Sequence, residues 1–195
     1  MPFNVNDFRS QMVADGARPN LFEVTMNFPT FATSGNAQQK FTFMCKSSQL
    51  PGATIGSVPV NYFGRELKFA GNRTFTDWTV TIINDEDFLI RDAFEKWMHG
   101  INSHITNLRT PSGLRPLDYT RNAQVRQYGK TGGVIKTYNY IGIFPTDVAA
   151  IDLDWGSNDS IEEFSVTFAY QWWEQVTSTE VGSGTVSPTT PFVPT

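Results

Sequence analysis

The chain has 195 residues, a formal net charge of −4, one cysteine, 17% charged and 14% aromatic side chains. That length suits a single domain with a full core, and an acidic balance with a pI near 5.1 excludes ordinary nucleic-acid binding, which needs a basic face for the phosphates. A lone Cys45 excludes an internal disulfide.

Residues 1–18 are polar and end in Gly16, Ala17, Arg18 and Pro19, so they predict a mobile N-terminal arm. Residues 20–28 alternate, with Phe22, Val24, Met26 and Phe28 on one face and Glu23, Thr25 and Asn27 on the other, which predicts a strand. Residues 29–39 are rich in turn formers, and residues 40–46 predict a returning strand, so that 20–46 reads as a long hairpin. Within it Cys45 shares a face with Phe41 and Phe43, as a small core residue does.

Residues 47–64 carry two prolines and three glycines between scattered apolar side chains. Proline cannot sit in a central strand, so this segment predicts an extended loop. Its apolar residues Leu50, Pro51, Ile55, Val58, Val60, Tyr62 and Phe63 are the candidates for contact with another subunit. A loop packed on its own domain is the alternative.

Residues 65–70 and 74–84 predict a strand pair, with Trp78, Val80 and Ile82 on one face. A helix over 85–99 follows, capped by Asn84 or Asp85 with acids at its positive end. Leu89, Ile90, Ala93, Phe94, Trp97 and Ile101 give its apolar stripe, and Gly100 a stop. Strands resume at 123–128 and 134–144 around the turn at 129–133. A last pair is predicted at 151–155 and 161–173, with Phe164, Val166, Phe168, Tyr170 and Trp172 facing the core. The domain spans 19–176, and 177–195 is a Ser/Thr/Gly/Pro-rich tail. The pattern is mainly β, an antiparallel barrel or sandwich with one flanking α-helix.

Reactive chemistry is sparse. Gly129, Lys130 and Thr131 resemble the end of a phosphate-binding loop, but Gln124 stands where glycine is needed and strands flank the turn. Asp152, Asp154, Asn158, Asp159 and Glu163 resemble a calcium loop, but Ser157 replaces the required glycine and Gly156 a ligand, so a solvated turn is the simpler reading. His99 and His104 lack a third ligand. No nucleophile motif is found; the chain reads as neither an enzyme nor a holder of a cofactor or metal. No apolar run reaches the roughly 18 residues that span a bilayer, and MPFNVNDFRSQM has no signal-peptide core, so synthesis in a cytoplasm and no membrane binding are expected. One of Trp172 and Trp173 must point outward, either as an interface anchor or as a sugar-stacking platform.

Several blocks in a fixed order go further: ARPNLFEV, FTFMCKSSQLPG, GNRTFTDWTVTIINDED, VRQYGK and GIFPTDVAAIDLDWGSNDSIEEFSVTFAYQWWE. Together they resemble the tail tube proteins of contractile-tailed bacteriophages, which are similar in fold to the tube protein of type VI secretion. The resemblance implies hexameric rings whose sheets join edge to edge into one continuous inner barrel, leaving no free edges. Rings stack head to tail into a tube. It implies as partners the chain itself, the tail sheath protein, a baseplate initiator, the tape-measure protein, and double-stranded DNA in transit without sequence-specific binding. It implies a place in the virion after assembly in the host cytoplasm. A ring component of a type VI-like secretion machine and a monomeric ligand-binding β-module using Trp172 or Trp173 are the rival readings. The tip at 29–39 and the tail after Val176 depart from the family pattern.

Overall fold

The computed structural model describes residues 4–12, 16–33 and 35–176. In chain order the elements are α1 (Val5–Gln11), β1 (Phe22–Met26), α2 (Ala37–Met44), β2 (Cys45–Ser48), β3 (Ala53–Tyr62), β4 (Arg65–Phe75), β5 (Trp78–Ile83), α3 (Leu89–Ile101), a 3-10 turn at Pro111–Gly113, α4 (Pro116–Tyr119), β6 (Arg121–Tyr128), β7 (Val134–Val148), β8 (Glu163–Ala169) and β9 (Trp172–Val176). The main sheet runs β1-β6-β7-β8-β5-β2, with β9 also beside β7; β3 and β4 form a separate two-stranded sheet. The strand pairs among the described residues are antiparallel.

The long strand β7 organises the sheet. Its first half lies between β6 and β9, and its last residues pair with β8. The change of partner falls next to Gly142, whose φ of +69° is open to glycine and strained for other residues. A Cβ there would also stand 2.8 Å from Cγ of Gln171.

Strand β5 shows why these residues make this sheet. Trp78, Val80 and Ile82 are buried and stand opposite Phe168, Val166 and Phe164 of β8, so each cross-strand pair packs two large apolar groups. Helix α3 lays Ile90, Ala93, Phe94 and Trp97 on this face at helical spacing. Phe94 meets Phe168 edge-on at 5.7 Å between ring centroids, and Phe28 completes the cluster against Phe41, Phe94 and Trp97.

Several expectations are corrected. Residues 37–44 form helix α2 rather than a returning strand, and β2 pairs with β5, not β1. Ala37, Gln38, Gln39 and Lys40 are good helix formers. The helix buries Ala37 and Phe41, four apart on one side, and leaves Phe43 exposed, so Phe43 and Phe41 do not share a face. Cys45 opens β2 half-buried, and burial pushes its thiol up to about 12, where it stays protonated. The α3 helix starts at Leu89, because residues 84–88 are used as a turn: Asp85 accepts the Glu86 N–H, Asp87 accepts the Leu89 N–H, and Phe88 takes a φ of +50°. Asn84 is buried, with its amide donating to Glu162 at 2.9 Å. Residues 149–162 contain no strand, so the pair expected at 151–155 is absent, and the last strand is split at residues 170–171 into β8 and β9. Helices α1, α2 and α4 join α3, so the expected single helix is one of four among the described residues. Part of the predicted arm, residues 5–11, is helix α1; the tail at 177–195 lies outside the described residues.

Candidate assembly surface

The segment 47–64 is not a loop. Most of it is β3, which pairs residue by residue with β4 from Tyr62 opposite Arg65 down to Ala53 opposite Phe75. Pro59 is accommodated because, among the described residues, β3 pairs with β4 alone. Nearly every residue of the hairpin is exposed. A two-stranded hairpin of this kind is marginally stable in water without a surface to pack on.

The register sorts its side chains. Directly opposed residues share a face, and the pairs Val58 with Phe69 and Val60 with Leu67 alternate with Pro59 opposite Lys68 and Asn61 opposite Glu66. One face is therefore an apolar strip of Val58, Val60, Tyr62, Leu67 and Phe69, all of them exposed. Of the predicted contact residues, Val58, Val60 and Tyr62 are brought together on this strip. Ile55 stands beyond a shift of register, opposite Arg73, and Phe63 is in the turn. Leu67 and Phe69 were missed; their signal was the alternation across residues 65–70 within the same hairpin.

Phe63 is the extreme case. It is 91% exposed at a φ of +47°, followed by Gly64 at +78°. Two left-handed residues at a two-residue turn match the twist of hairpin strands, a place that favours Asn followed by Gly. An aromatic ring there is strained and stands in water, with the Tyr62 ring at 4.5 Å for company.

Leu50 and Pro51 sit at the root, which is fastened by four aromatic side chains. Trp78 donates its indole N–H to Oγ of Ser48 at 3.1 Å, and the buried Tyr140 donates its hydroxyl to the Gln49 carbonyl at 2.8 Å. Tyr170 and Trp173 both donate to the Gly52 carbonyl, at 3.4 and 3.3 Å. Trp78 stacks on Tyr140 at 4.5 Å, and Tyr140 meets Tyr170 edge-on at 5.0 Å. Burial holds the Tyr140 hydroxyl far above its ordinary pKa, so it remains a donor. Trp173 is thus committed to the root, while the more exposed Trp172 donates to Glu174 at 3.0 Å.

A second surface is the side of β1, β6, β7 and β9 turned from the core. Thr25, Gln124, Asn139 and Glu174 form one row across the four strands, and Gln124 donates to Asn139 at 2.7 Å. In the next row Glu23 accepts from Tyr128 at 2.6 Å and from Arg126 at 3.5 Å. The hydrogen bond to Glu23 raises the Tyr128 pKa. These rows are polar: Arg126 pairs with Glu23, and Glu174 accepts from the Trp172 indole.

The residues considered for chemistry stay apart or structural. The turn at 129–133 closes β6 to β7, with Gly129 donating to the Gly133 carbonyl at 2.8 Å. His99 and His104 have rings 5.3 Å apart. Among the described residues no three His, Cys, Asp or Glu side chains gather into a metal site.

A family model described as phage tail tube protein matches residues 17–176. The chain is 38% identical over 164 residues to tail tube protein gp19 of Enterobacteria phage T4, covering 82% of this chain and 92% of that protein. It is 28% identical over 168 residues to the tail tube protein of Serratia phage KSP90, covering 85% and 93%. The fold is similar to a chain of the anti-feeding prophage baseplate, solved with 6-fold symmetry, at a TM-score of 0.59, 14% identity and coverage of 85% and 97%. It is also similar to a chain of the sheath-tube complex of an extracellular contractile injection system, at a TM-score of 0.57, 14% identity and coverage of 89% and 97%.

Proposed function

The chain belongs to the phage tail tube protein family, and from that premise we propose that it builds the inner tube of a contractile tail as stacked hexameric rings that conduct DNA. As a member of that family it is a structural protein and not an enzyme. Within a ring, sheets join edge to edge, which covers the strand edges a lone subunit leaves open. Between rings the contact is head to tail, which does not close and so propagates. The polar wall of Thr25, Gln124, Asn139 and Glu174 faces the lumen. Amides, the carboxylate of Glu174 and an arginine paired with Glu23 offer passing phosphate no uncompensated positive site, so DNA slides without being held. The tape-measure protein occupies the lumen before DNA does, the sheath lies outside, and a baseplate initiator nucleates the first ring.

The observation that carries the ring contact is the exposed apolar strip on a hairpin that, among the described residues, has no supporting layer. Docking on a neighbouring subunit supplies that layer and removes the strip from water. Leu50, Pro51, Ile55, Val58, Val60, Tyr62 and Phe63 all belong to this contact, the first two through the root. Negative-stain electron microscopy of the purified chain, alone and with preformed tubes as seeds, tests the reading. Hollow rings or tubes are expected from the wild type, and their loss from Val60→Asp/Leu67→Asp. Wild-type particles that stay single even with seeds refute the tube reading; wild-type tubes with an unimpaired hairpin variant refute the role of the strip.

A further inference from the structure

Ring stacking requires two different surfaces on each subunit, one to reach out and one to receive. The sheet places them at opposite ends. The hairpin leaves the sheet beside Trp78, at the start of β5. At the other end of β5, Ile83 stands opposite Glu163, and the Asn84 N–H donates to the Glu162 carbonyl. The loop 149–162 closes the sheet at that end.

This loop has an unusual surface. Leu153, Trp155 and Ile161 are 80%, 101% and 72% exposed. A side chain of this kind in full contact with water is the type that anchors protein interfaces. Around it the loop carries Asp152, Asp154, Asp159 and Glu162 and no basic residue. The hairpin has the opposite character: β4 carries Arg65, Lys68 and Arg73 against one acid, Glu66, and β3 carries no charge. Both surfaces combine exposed apolar groups with charge, and the charges are of opposite sign.

We propose that the loop 149–162 is the seat for the hairpin of a second copy of this chain in the next ring, with Trp155 packed on the apolar strip and the loop carboxylates facing Arg65, which shares the face of the strip opposite Tyr62, and Arg73 beyond the register shift. The inference rests on the tube reading and adds the receiving surface to it. An apolar centre within a charged rim gives affinity at the centre and register at the rim. The sign of the rim also suppresses the wrong contacts: hairpin on hairpin opposes basic groups, and loop on loop opposes acids, so rings join only head to tail.

Reciprocal charge reversal tests this. One variant carries Asp152→Lys, Asp154→Lys and Asp159→Lys; a second carries Arg65→Glu and Arg73→Glu; a third carries all five. A fourth, Trp155→Ala, removes a side chain the fold does not bury. Circular dichroism and thermal denaturation confirm that each subunit folds. The readouts are tube length by electron microscopy and the concentration at which the chain pellets as tubes. The loop variant, the hairpin variant and Trp155→Ala are each expected to raise that concentration by more than about 10-fold, and the five-site variant to recover most of the loss. Loop variants that polymerise like the wild type overturn the inference while leaving the tube reading intact, as does a five-site variant no better than the loop variant or the hairpin variant. A wild-type chain that forms neither rings nor tubes, even on seeds, overturns the tube reading and this inference with it.

Discussion

Replacing Phe63 by Asn should move stability and assembly in opposite directions. A side chain held in the left-handed region costs about 1–2 kcal/mol, and Asn tolerates it far better than Phe. With φ at +47° and Gly64 following at +78°, Phe63→Asn should stabilise the closed hairpin by about 1 kcal/mol, or about 5-fold in its opening equilibrium. The loss comes on docking. An aromatic side chain offers about 200 Å², and Phe63 is 91% exposed, so about 180 Å² is available for burial, with a ceiling of about 4.5 kcal/mol at 25 cal/mol per Å². Ordering and imperfect packing reduce what reaches the binding free energy. Half of that ceiling, about 2 kcal/mol, still raises the concentration needed for tubes about 30-fold. Hairpin closure is read by amide hydrogen exchange on the free subunit, and assembly by sedimentation and electron microscopy. Slower exchange together with weaker assembly is the expected result. A variant that assembles at the wild-type concentration or below would refute the reasoning, since the ring would then be an exposed cost with no contact to offset it. Phe63→Gly, which relieves the strain and also removes the ring, should follow Phe63→Asn.

Gly100 is buried in α3, and a Cβ there would stand 2.3 Å from Cε2 of Phe31. Gly100→Ala should therefore destabilise by about 1–2 kcal/mol despite the better helix propensity of Ala, lowering the melting temperature by several degrees, and adding Phe31→Ala should produce a non-additive double-mutant cycle. Lys40 of α2 bridges Asp85 at 2.6 Å and Asp87 at 2.5 Å. The hydrogen bonds to Lys40 hold both carboxyls below their ordinary value of 3.8, and those carboxylates raise Lys40 above 10.5. The carboxylates' contribution is present above 3.8 and is lost as pH falls through their depressed values; the lysine's is present below 10.5 and is lost as pH rises through its raised value. The difference in melting temperature between wild type and Lys40→Met should then be level at neutral pH and vanish in strong acid; a difference that persists there would contradict the assignment. Amide exchange should find β3 and β4 weakly protected in the free subunit and strongly protected in tubes; full protection in the free subunit would contradict docking on a neighbour.

The strands with a buried face were legible because one side of each is forced into the core. Val24 and Met26, Val80 and Ile82, and Phe164, Val166 and Phe168 alternate in the sequence and are buried in the structure. The same rule misled at Phe41 and Phe43, where a two-residue spacing stood for a strand. Ala37 four positions earlier was the competing helical signal, and the aromatic contacts of Phe41 with Phe28 and Phe94 decide it. The hairpin was hidden for a different reason. Neither of its faces is buried in the subunit, and Pro51, Gly52, Gly56, Pro59 and Gly64 gave a loop signal. Residues 65–70 were recognised as a strand, but nothing local shows that their partner is β3. The acidic segment 149–162 was read as a strand followed by a solvated turn. Trp155, flanked by Asp154 and Gly156, carries no local sign of its exposure, and only the topology shows that it lies at the end opposite the hairpin.

The root and the tip of the hairpin solve separate parts of the assembly problem. A free hairpin of this length would sample many directions, and fixing one on docking would cost conformational entropy. The donors of Trp78, Tyr140, Tyr170 and Trp173 bind the segment 48–52 to the sheet through four hydrogen bonds at Ser48, Gln49 and Gly52, so the direction of exit is set by the core before any neighbour arrives. The two strands beyond the root have no such support, which leaves the apolar strip able to adapt to its seat. Strain at Phe63 adds a bias in the same sense, since a turn that is costly alone is stabilised only when its ring is covered. A fixed root with a poorly supported tip gives accurate aim and weak premature self-association, which a protein made in many copies needs if its polymer is to begin at a nucleus and extend in one direction.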